Sequence, residues 1–481
     1  MVTNVKKKGY FKLIFLIFIS FLDALILLAN DSPRDGLEYM FLLPLVYGIC
    51  LLLFNKVLKC KELGIKVYNV IAFIRYIIQP LLILLTAGEV SSNRMSIVSP
   101  SSYYMSTFIQ CVEIIISYAT ISMFYNKIQE KYEKNEKEKG NYTIGIKTGG
   151  IIVIISYLVV LLYRFPIWFP ALNIYGIKQS ITDGILLENT LFSSVKTALF
   201  IYALDRTIKS NGKKRLVNLL FCIFTALFLI LTYFGTNRAL TLELTITSIA
   251  MIVHYLPKYK KMILTIIIPI SIFMIFTMFV TKQFNIESTN EISSVTLDLK
   301  YISNQLEEYT NGPWCIAQTY EASIGLSLSR SFRAITKELS NALMVVFVLP
   351  GLQQLSQKII HWESSTDIFR AAFQNRNRGQ IPSFSAGFFY CYGFLGFILF
   401  PIGNFIAILF LLKYSIKSRL TNSLLERYIY LWSSIVFGLT HCYCVRVLLY
   451  CMSKYAWFIF LIILGNKYLV YKKSGETNEK S

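Results

Sequence analysis

Histidine is scarce in this chain of 481 residues, which holds only His254, His361 and His441. Three are too few for a histidine-rich metal centre, and no His-Glu-x-x-His run occurs. Nucleotide-binding signatures are missing as well: there is no Gly-x-x-x-x-Gly-Lys-Ser/Thr loop and no Gly-x-Gly-x-x-Gly turn after a strand. A Gly-x-Ser-x-Gly nucleophile turn is also lacking. The nine cysteines are scattered, most of them in or beside apolar runs (Cys50, Cys111, Cys222, Cys391). Cys442 and Cys444 match no zinc spacing, and Cys315 stands alone, so the cysteines read as buried thiols. Acidic residues are outnumbered, 27 Asp and Glu against 48 Lys and Arg, for a formal charge of +21. No aromatic-and-basic recognition module accompanies that charge, so nucleic acid is not the expected partner. Apolar residues come in continuous runs rather than alternating ones, which excludes a membrane β-barrel.

What the chain does have is apolar length. It is 55% hydrophobic and 15% aromatic, with a mean hydropathy of +0.53, more than a soluble domain can bury. Runs of roughly 17–25 apolar residues predict membrane-crossing helices. They fall at 10–29, 37–54, 68–87, 105–125, 149–165, 190–205, 216–234, 237–256, 262–281, 383–412, 427–446 and 455–471. The expected fold is all-α, a polytopic transmembrane bundle of about 12 spans with one large, partly helical extracytoplasmic loop. The first run follows Lys6-Lys7-Lys8 and is too long for a cleaved signal segment.

Charge assigns the sides. Lys56–Lys66, Lys127–Lys147, Arg206–Arg215, Lys258–Lys261, Lys413–Arg419 and Lys472–Lys473 occupy every second connection. By the positive-inside rule these connections and both termini are cytoplasmic. Between residues 282 and 382 the chain leaves the bilayer for roughly 100 residues, with a short apolar stretch at Leu343–Pro350 that suits an interfacial or core helix. The expected organisation is helices at 1–281, the loop at 282–382, further helices at 383–473 and a cytoplasmic tail at 474–481.

The outer arginines are the strongest chemical lead, because guanidinium grips phosphate oxygens bidentately and keeps its charge. Arg238 follows Gly235-Thr236-Asn237 at the start of a span, where free N–H groups and the helix dipole favour an anion. Arg376 and Arg378 alternate with Asn and Gly just before Pro382, and Arg330 and Arg333 share a helical face. Arg164 ends a span beside an aromatic belt. Candidate general bases outside the bilayer are Glu321, His361, Glu363 and Asp367. Tyr309, Trp314, Tyr320 and Trp362 offer aromatic faces for a sugar chain. Asp23, Arg75, Glu113 and Glu243 lie within spans, so they must face the bundle or a wet cavity, with pairing to bases expected for Glu113 and Glu243.

Three stretches resemble the bacterial O-antigen polymerases, the oligosaccharide repeat-unit polymerase family related to the O-antigen ligases. LTYFGTNRALTLELTI has the small-polar turn before an arginine, with Gly235 and Arg238. GQIPSFSAGFFYCYGFLGFILF resembles the proline followed by Gly-x-x-Gly at the span after the large loop, here Pro382, Gly393 and Gly396. EEYTNGPWCIAQ is similar to the family's Tyr-x-x-Gly-Pro segment. Arg376 and Gly387 fit the family's Arg-x10-Gly spacing, whereas Arg164 and Gly176 miss it by one residue.

The resemblance implies a GT-C-like, metal-independent membrane glycosyltransferase without a cofactor. It would join undecaprenyl-pyrophosphate-linked oligosaccharides at the outer face of the bacterial plasma membrane, building O-antigen, capsule or exopolysaccharide. Membrane lipid, a chain-length regulator and a flippase are the implied partners. Arg238, Arg376, Arg378 and Arg164 would hold the pyrophosphate. The rivals are an O-antigen ligase, a lipid-linked oligosaccharide flippase or other transporter, and a metal-dependent GT-C enzyme. The ligases usually carry a His-Asn pair where this chain has Ser383-Phe384-Ser385, and the acids of the short loop, Asp31 and Asp35, are not spaced Asp-x-Asp.

Overall fold

The computed structural model describes residues 2–88, 98–138, 145–174, 186–234, 238–284, 298–334, 336–337, 362, 383–443 and 445–469. Its longer helices are α1 (Val2–Ala29), α2 (Leu42–Leu53), α3 (Leu63–Leu85), α4 (Pro100–Glu138), α5 (Thr148–Tyr163), α6 (Leu186–Lys209), α7 (Gly212–Leu231), α8 (Arg238–Tyr255) and α9 (Lys260–Phe284). After them come α10 (Leu299–Tyr309), α11 (Pro313–Ser323), α12 (Phe384–Tyr392), α13 (Gly396–Leu420), α14 (Leu424–Gly438) and α15 (Val445–Tyr468). One antiparallel pair departs from the helical class among the described residues: β1 (Leu172–Ile174) against β2 (Thr232–Phe234), with Asn173 opposite Tyr233.

A helix covers each apolar run named above. Among the described residues, five stretches are long and apolar enough to cross a membrane: Phe11–Ala29, Leu63–Leu85, Pro100–Lys134, Gly212–Leu231 and Gly393–Leu420. Shorter apolar helices include Leu42–Leu53 and Thr148–Tyr163. Such helices fit a membrane protein, and so do their exposed faces. On α1, Phe11, Ile14, Phe15, Phe18, Leu22 and Leu25 all face outward. A row of that length suits hydrocarbon, not water.

One run differs from its expected form. The stretch 383–412 is not a single rod but two helices, α12 and α13. Gly393 between them sits at φ +55, where a side chain is strained. A Cβ on Gly396 would lie 2.7 Å from the Phe389 Cα, so α12 folds tightly onto the start of α13. Ser383 caps α12 by accepting from the Ala386 N–H at 3.1 Å.

The chain forms two compact units. The first comprises residues 1–135, 296–419 and 433–453. Its helices approach closely where glycine permits: a Cβ on Gly64 would lie 2.5 Å from the Ser434 carbonyl oxygen, and one on Gly438 2.6 Å from that of Gly64. Its two ends differ in charge. At one end the Lys-rich connections meet. Arg419 Nε lies 3.4 Å from Glu62 and its Nη2 3.5 Å from Glu133, Tyr125 donates to Glu62 at 2.8 Å, and Lys417 lies over the Tyr132 ring. At the other end the connections from α1, α3 and the long loop meet. Arg34 Nε donates to the Gly88 carbonyl at 2.6 Å, Arg34 also pairs with Glu307, and Ser99 donates to Glu321. Three of the Lys-rich segments named above thus meet at one end of this unit.

The second unit comprises residues 136–295, 420–432 and 454–481. Here α6 packs between α5 and α7. Gly149 and Gly465 touch backbone to backbone, and the Lys147 N–H donates to the Asn466 side chain at 2.9 Å. Lys196 is buried on α6 and donates to the carbonyls of Leu229 and Thr232, which end α7. Arg427 lies 2.5 Å from Nε2 of His254 and donates to the Thr421 carbonyl.

Candidate functional site

The long loop supplies a helical hairpin to the first unit. Asp298 caps α10 by accepting from the Tyr301 N–H at 2.6 Å. α10 ends at Tyr309, and Thr310-Asn311-Gly312 turns the chain into α11, whose first residue is Pro313. Proline suits that position because its missing N–H would have no helical partner. Asn311 takes φ +50, a left-handed conformation that asparagine tolerates better than most residues. Gly312 is required by proximity, since any Cβ there would run into the Gln79 amide.

The hairpin is held on three sides. Arg34 meets Glu307 with two nitrogens, Nη1 to Oε1 at 3.4 Å and Nη2 to Oε2 at 3.2 Å. Glu307 is buried, and its Oε1 also accepts from the Trp314 N–H at 2.7 Å. Burial works against the Arg34 charge, but Glu307 outweighs it and holds the guanidinium above its usual range. Ser106 Oγ on α4 donates to the Pro313 carbonyl at 2.7 Å. Glu321 on the last turn of α11 accepts from the Ser99 N–H at 2.8 Å and from its hydroxyl at 3.3 Å.

Beneath the turn lies a buried ionic cluster. α3 contains a π-helical turn, Ile74–Ile78, that carries Arg75, a local form often found at functional sites. Arg75 Nη2 lies 3.1 Å from Glu113 Oε2 on α4, and its Nη1 lies 2.6 Å from Nδ1 of His441. Arg75 Nε donates to Gln110 at 3.2 Å. His441 Nδ1 also lies 3.1 Å from Glu113 Oε1. A guanidinium can only donate, so the shorter contact makes Nδ1 an acceptor and puts the ring proton on Nε2. Nε2 is buried without a partner among the described residues. The turn closes over this cluster: Asn311 donates to the His441 carbonyl at 3.1 Å, and Thr310 to the Gln79 side chain at 2.7 Å. Tyr68 stacks on the imidazole, with ring centres 4.6 Å apart. Charges this deep are costly, and they persist because each is paired.

The residues singled out by sequence are distributed unevenly around this arrangement. Glu321 anchors α11 to Ser99. Tyr309 is exposed, Tyr320 is half-buried with its ring edge-on to Phe389, and Trp314 is a core side chain at 1% exposure. Trp362 is exposed and carries the Arg333 guanidinium 5.8 Å above its ring. Arg164 follows α5 and is ion-paired with the buried Glu188 on α6. Arg238 opens α8, but its side chain lies outside the described set. Gly387 is buried in α12, while Gly393 and Gly396 form the break before α13. His361, Glu363, Asp367, Arg376, Arg378, Gly235 and Pro382 lie outside the described residues. Among the described residues, no three His, Cys, Asp or Glu side chains come together as a metal-holding group.

Glu113 has the basic partner expected for it, in Arg75. His441 joins the pair, although nothing in its local sequence marks it. The available signal was general: an ionisable residue within an apolar run is a candidate for function. Asp23 is a further such residue, buried on α1 with neither carboxylate oxygen bonded among the described residues. No protein-family model, no curated protein and no solved structure matches this chain.

Proposed function

We propose that this protein is a membrane glycosyltransferase that polymerises lipid-linked oligosaccharide repeat units. In this reading the bundle has about 12 spans with cytoplasmic termini, and the hairpin of α10 and α11 belongs to the extracytoplasmic loop. The supporting observation is the seating of that hairpin. Glu307, Glu321, Asn311 and Thr310 tie it to four elements of the first unit: the connection after α1, the segment before α4, the Thr440–Cys442 turn and α3. A mobile connector needs no such ties, whereas a surface that must hold a sugar chain against reacting groups does. Tyr309 and Trp362 remain exposed and offer sugar-stacking faces.

The reaction needs no nucleotide sugar. A hydroxyl of one unit attacks the anomeric carbon of the other and gives its proton to a base, for which Glu321, His361, Glu363 and Asp367 are the candidates, while the carrier pyrophosphate departs with the bonding electrons. Arg238, Arg376 and Arg378 are the proposed counter-charges for the leaving group, acting as fixed cations where negative charge develops. Arg164 is a weaker candidate because Glu188 already neutralises it. Purified protein incubated with a pyrophosphate-linked repeat unit tests the reading. A product ladder that survives chelator supports it, and no ladder under conditions that keep the protein folded sinks it.

One observation favours a second reading. A sealed Arg75–Glu113–His441 cluster also suits a transporter whose cargo or coupling ion perturbs a buried charge network. Deletion separates the two. Single repeat units at the surface mark a polymerase, and lipid-linked units retained on the inner face mark a transporter.

A further inference from the structure

The second unit contains a cavity of about 870 Å³ at its Lys-rich end, where α5 and α7 begin and α6 finishes. Lys147, Arg206, Lys209 and Lys214 line it, together with the buried Asp205. Two helix N-termini open onto it. α5 and α7 have no side-chain hydrogen bond at the cap and no acid in the first turn. Asn466 accepts the Lys147 N–H at the start of α5, but no first-turn acid offsets the positive dipole end of either helix. The C-terminal dipole of α6 points there too, but Arg206 and Lys209 in its last turn balance it. Asp205 Oδ2 is taken by Lys209 at 2.7 Å. The surplus is thus positive: Lys147 and Lys214 have no carboxylate partner among the described residues.

Two further features narrow the ligand. Asp205 is 6% exposed, and its Oδ1 has no hydrogen-bond partner among the described residues, so the site presents one acceptor beside its cations. Exposed apolar residues also follow along the two helices that begin at the cavity. Ile151 lines it, and Ile152 and Ile155 follow on α5, while Leu216, Val217 and Leu220 follow on α7, all exposed. A soluble anion needs no such surface, whereas acyl chains do.

We infer that this cavity binds the headgroup of an anionic phospholipid of the phosphatidylglycerol type. The phosphate sits between Lys147, Lys214 and the two helix starts, a headgroup hydroxyl donates to Asp205 Oδ1, and the acyl chains lie along α5 and α7. The site is independent of the reaction proposed above.

Full-length protein, purified in a mild detergent and delipidated, tests this with phosphatidylglycerol, phosphatidylcholine, phosphatidylmethanol and inorganic phosphate as probes. Retained lipid is read by native mass spectrometry, and stabilisation by thermal melting. Wild type retains phosphatidylglycerol over phosphatidylcholine, and the exposed-residue variant K147Q/R206Q/K214Q weakens that retention roughly tenfold or more. A control variant, K258Q/K260Q/K261Q, removes an equal charge elsewhere and keeps retention. Equal loss in the control would reduce the effect to general surface charge and overturn the site. Equal protection by inorganic phosphate would overturn the lipid as ligand. Equal retention of phosphatidylmethanol, which has the same charge and no hydroxyl, would overturn the role of Asp205. Unchanged retention in the triple variant, with an unchanged melting curve, would overturn the proposal.

Discussion

Arg75 Nη1 lies 2.6 Å from Nδ1 of His441, a residue 366 positions later in the chain. The same guanidinium meets Glu113 at 3.1 Å, so one cation ties α3, α4 and the Thr440–Cys442 turn together inside the bundle. None of these side chains is open to solvent. The arrangement is electrostatically all-or-none, because losing either charge leaves the other buried alone.

Arg75→Met or Glu113→Leu is therefore expected to destabilise the protein by about 3–5 kcal/mol. The double variant R75M/E113L leaves no stranded charge and loses less than the sum of the single losses, by about 1 kcal/mol or more. Unfolding in detergent micelles measures all of them. Additive losses would mean that the two side chains do not act as a pair.

Asn311 separates backbone strain from hydrogen bonding at the hairpin. Asn311→Gly keeps the left-handed backbone and gives up the bond to the His441 carbonyl, at a cost of about 1 kcal/mol. Asn311→Val gives up the bond and adds about 1–2 kcal/mol of steric cost at φ +50. Limited proteolysis between residues 298 and 337 reads the difference. Cleavage speeds up modestly in the glycine variant and strongly in the valine variant, and equal rates would contradict the strain argument.

Much of the architecture was legible in the sequence because helix formation in apolar runs is a local property. A helix lies over every run, and three of the lysine-rich segments meet at one end of the first unit. Glu113 was legible as a residue needing a base, since burial of a lone carboxylate is prohibitive. Which base it meets was not, for pairing is set by tertiary packing between distant segments. The Arg34–Glu307 pair spans 273 positions and joins the connection between α1 and α2 to the long loop, with no local pattern at either end. The π-helical turn under Arg75 and the Gly393 break were likewise hidden, since both are decided by neighbours rather than by hydropathy.

Gly64 tests the close helix contacts. Gly64→Ala places a Cβ 2.5 Å from the Ser434 carbonyl oxygen and 2.7 Å from Ser415 Oγ. Overpacking of this kind costs about 1–3 kcal/mol. Thermal melting is expected to show it, and an unchanged melting temperature would place the two helices further apart than described.

The proposed chemistry rests on the loop arginines. Arg376→Ala should lower polymer formation about 10²–10³-fold at normal protein abundance if it stabilises the departing pyrophosphate. Arg376→Lys keeps the charge but not the bidentate geometry and should recover only part of it. Wild-type chain length and yield in the alanine variant would remove Arg376 from the mechanism.

Orientation decides whether any of these groups can meet an outer-leaflet substrate. In the first unit, Ser32 and Ser329 are exposed on segments adjoining the Arg34–Glu307 end, while Lys61 and Lys134 are exposed near the Arg419 end. Single cysteines at these four positions, in a background free of the native cysteines, can be challenged with an impermeant maleimide. The charge rule expects Ser32→Cys and Ser329→Cys to react in intact cells, and Lys61→Cys and Lys134→Cys only after permeabilisation. The reverse pattern would keep the fold and turn the hairpin toward the cytosol, which ends the case for polymerisation outside the cell. A split within either pair would contradict the fold itself, because each pair lies by one end of one compact unit.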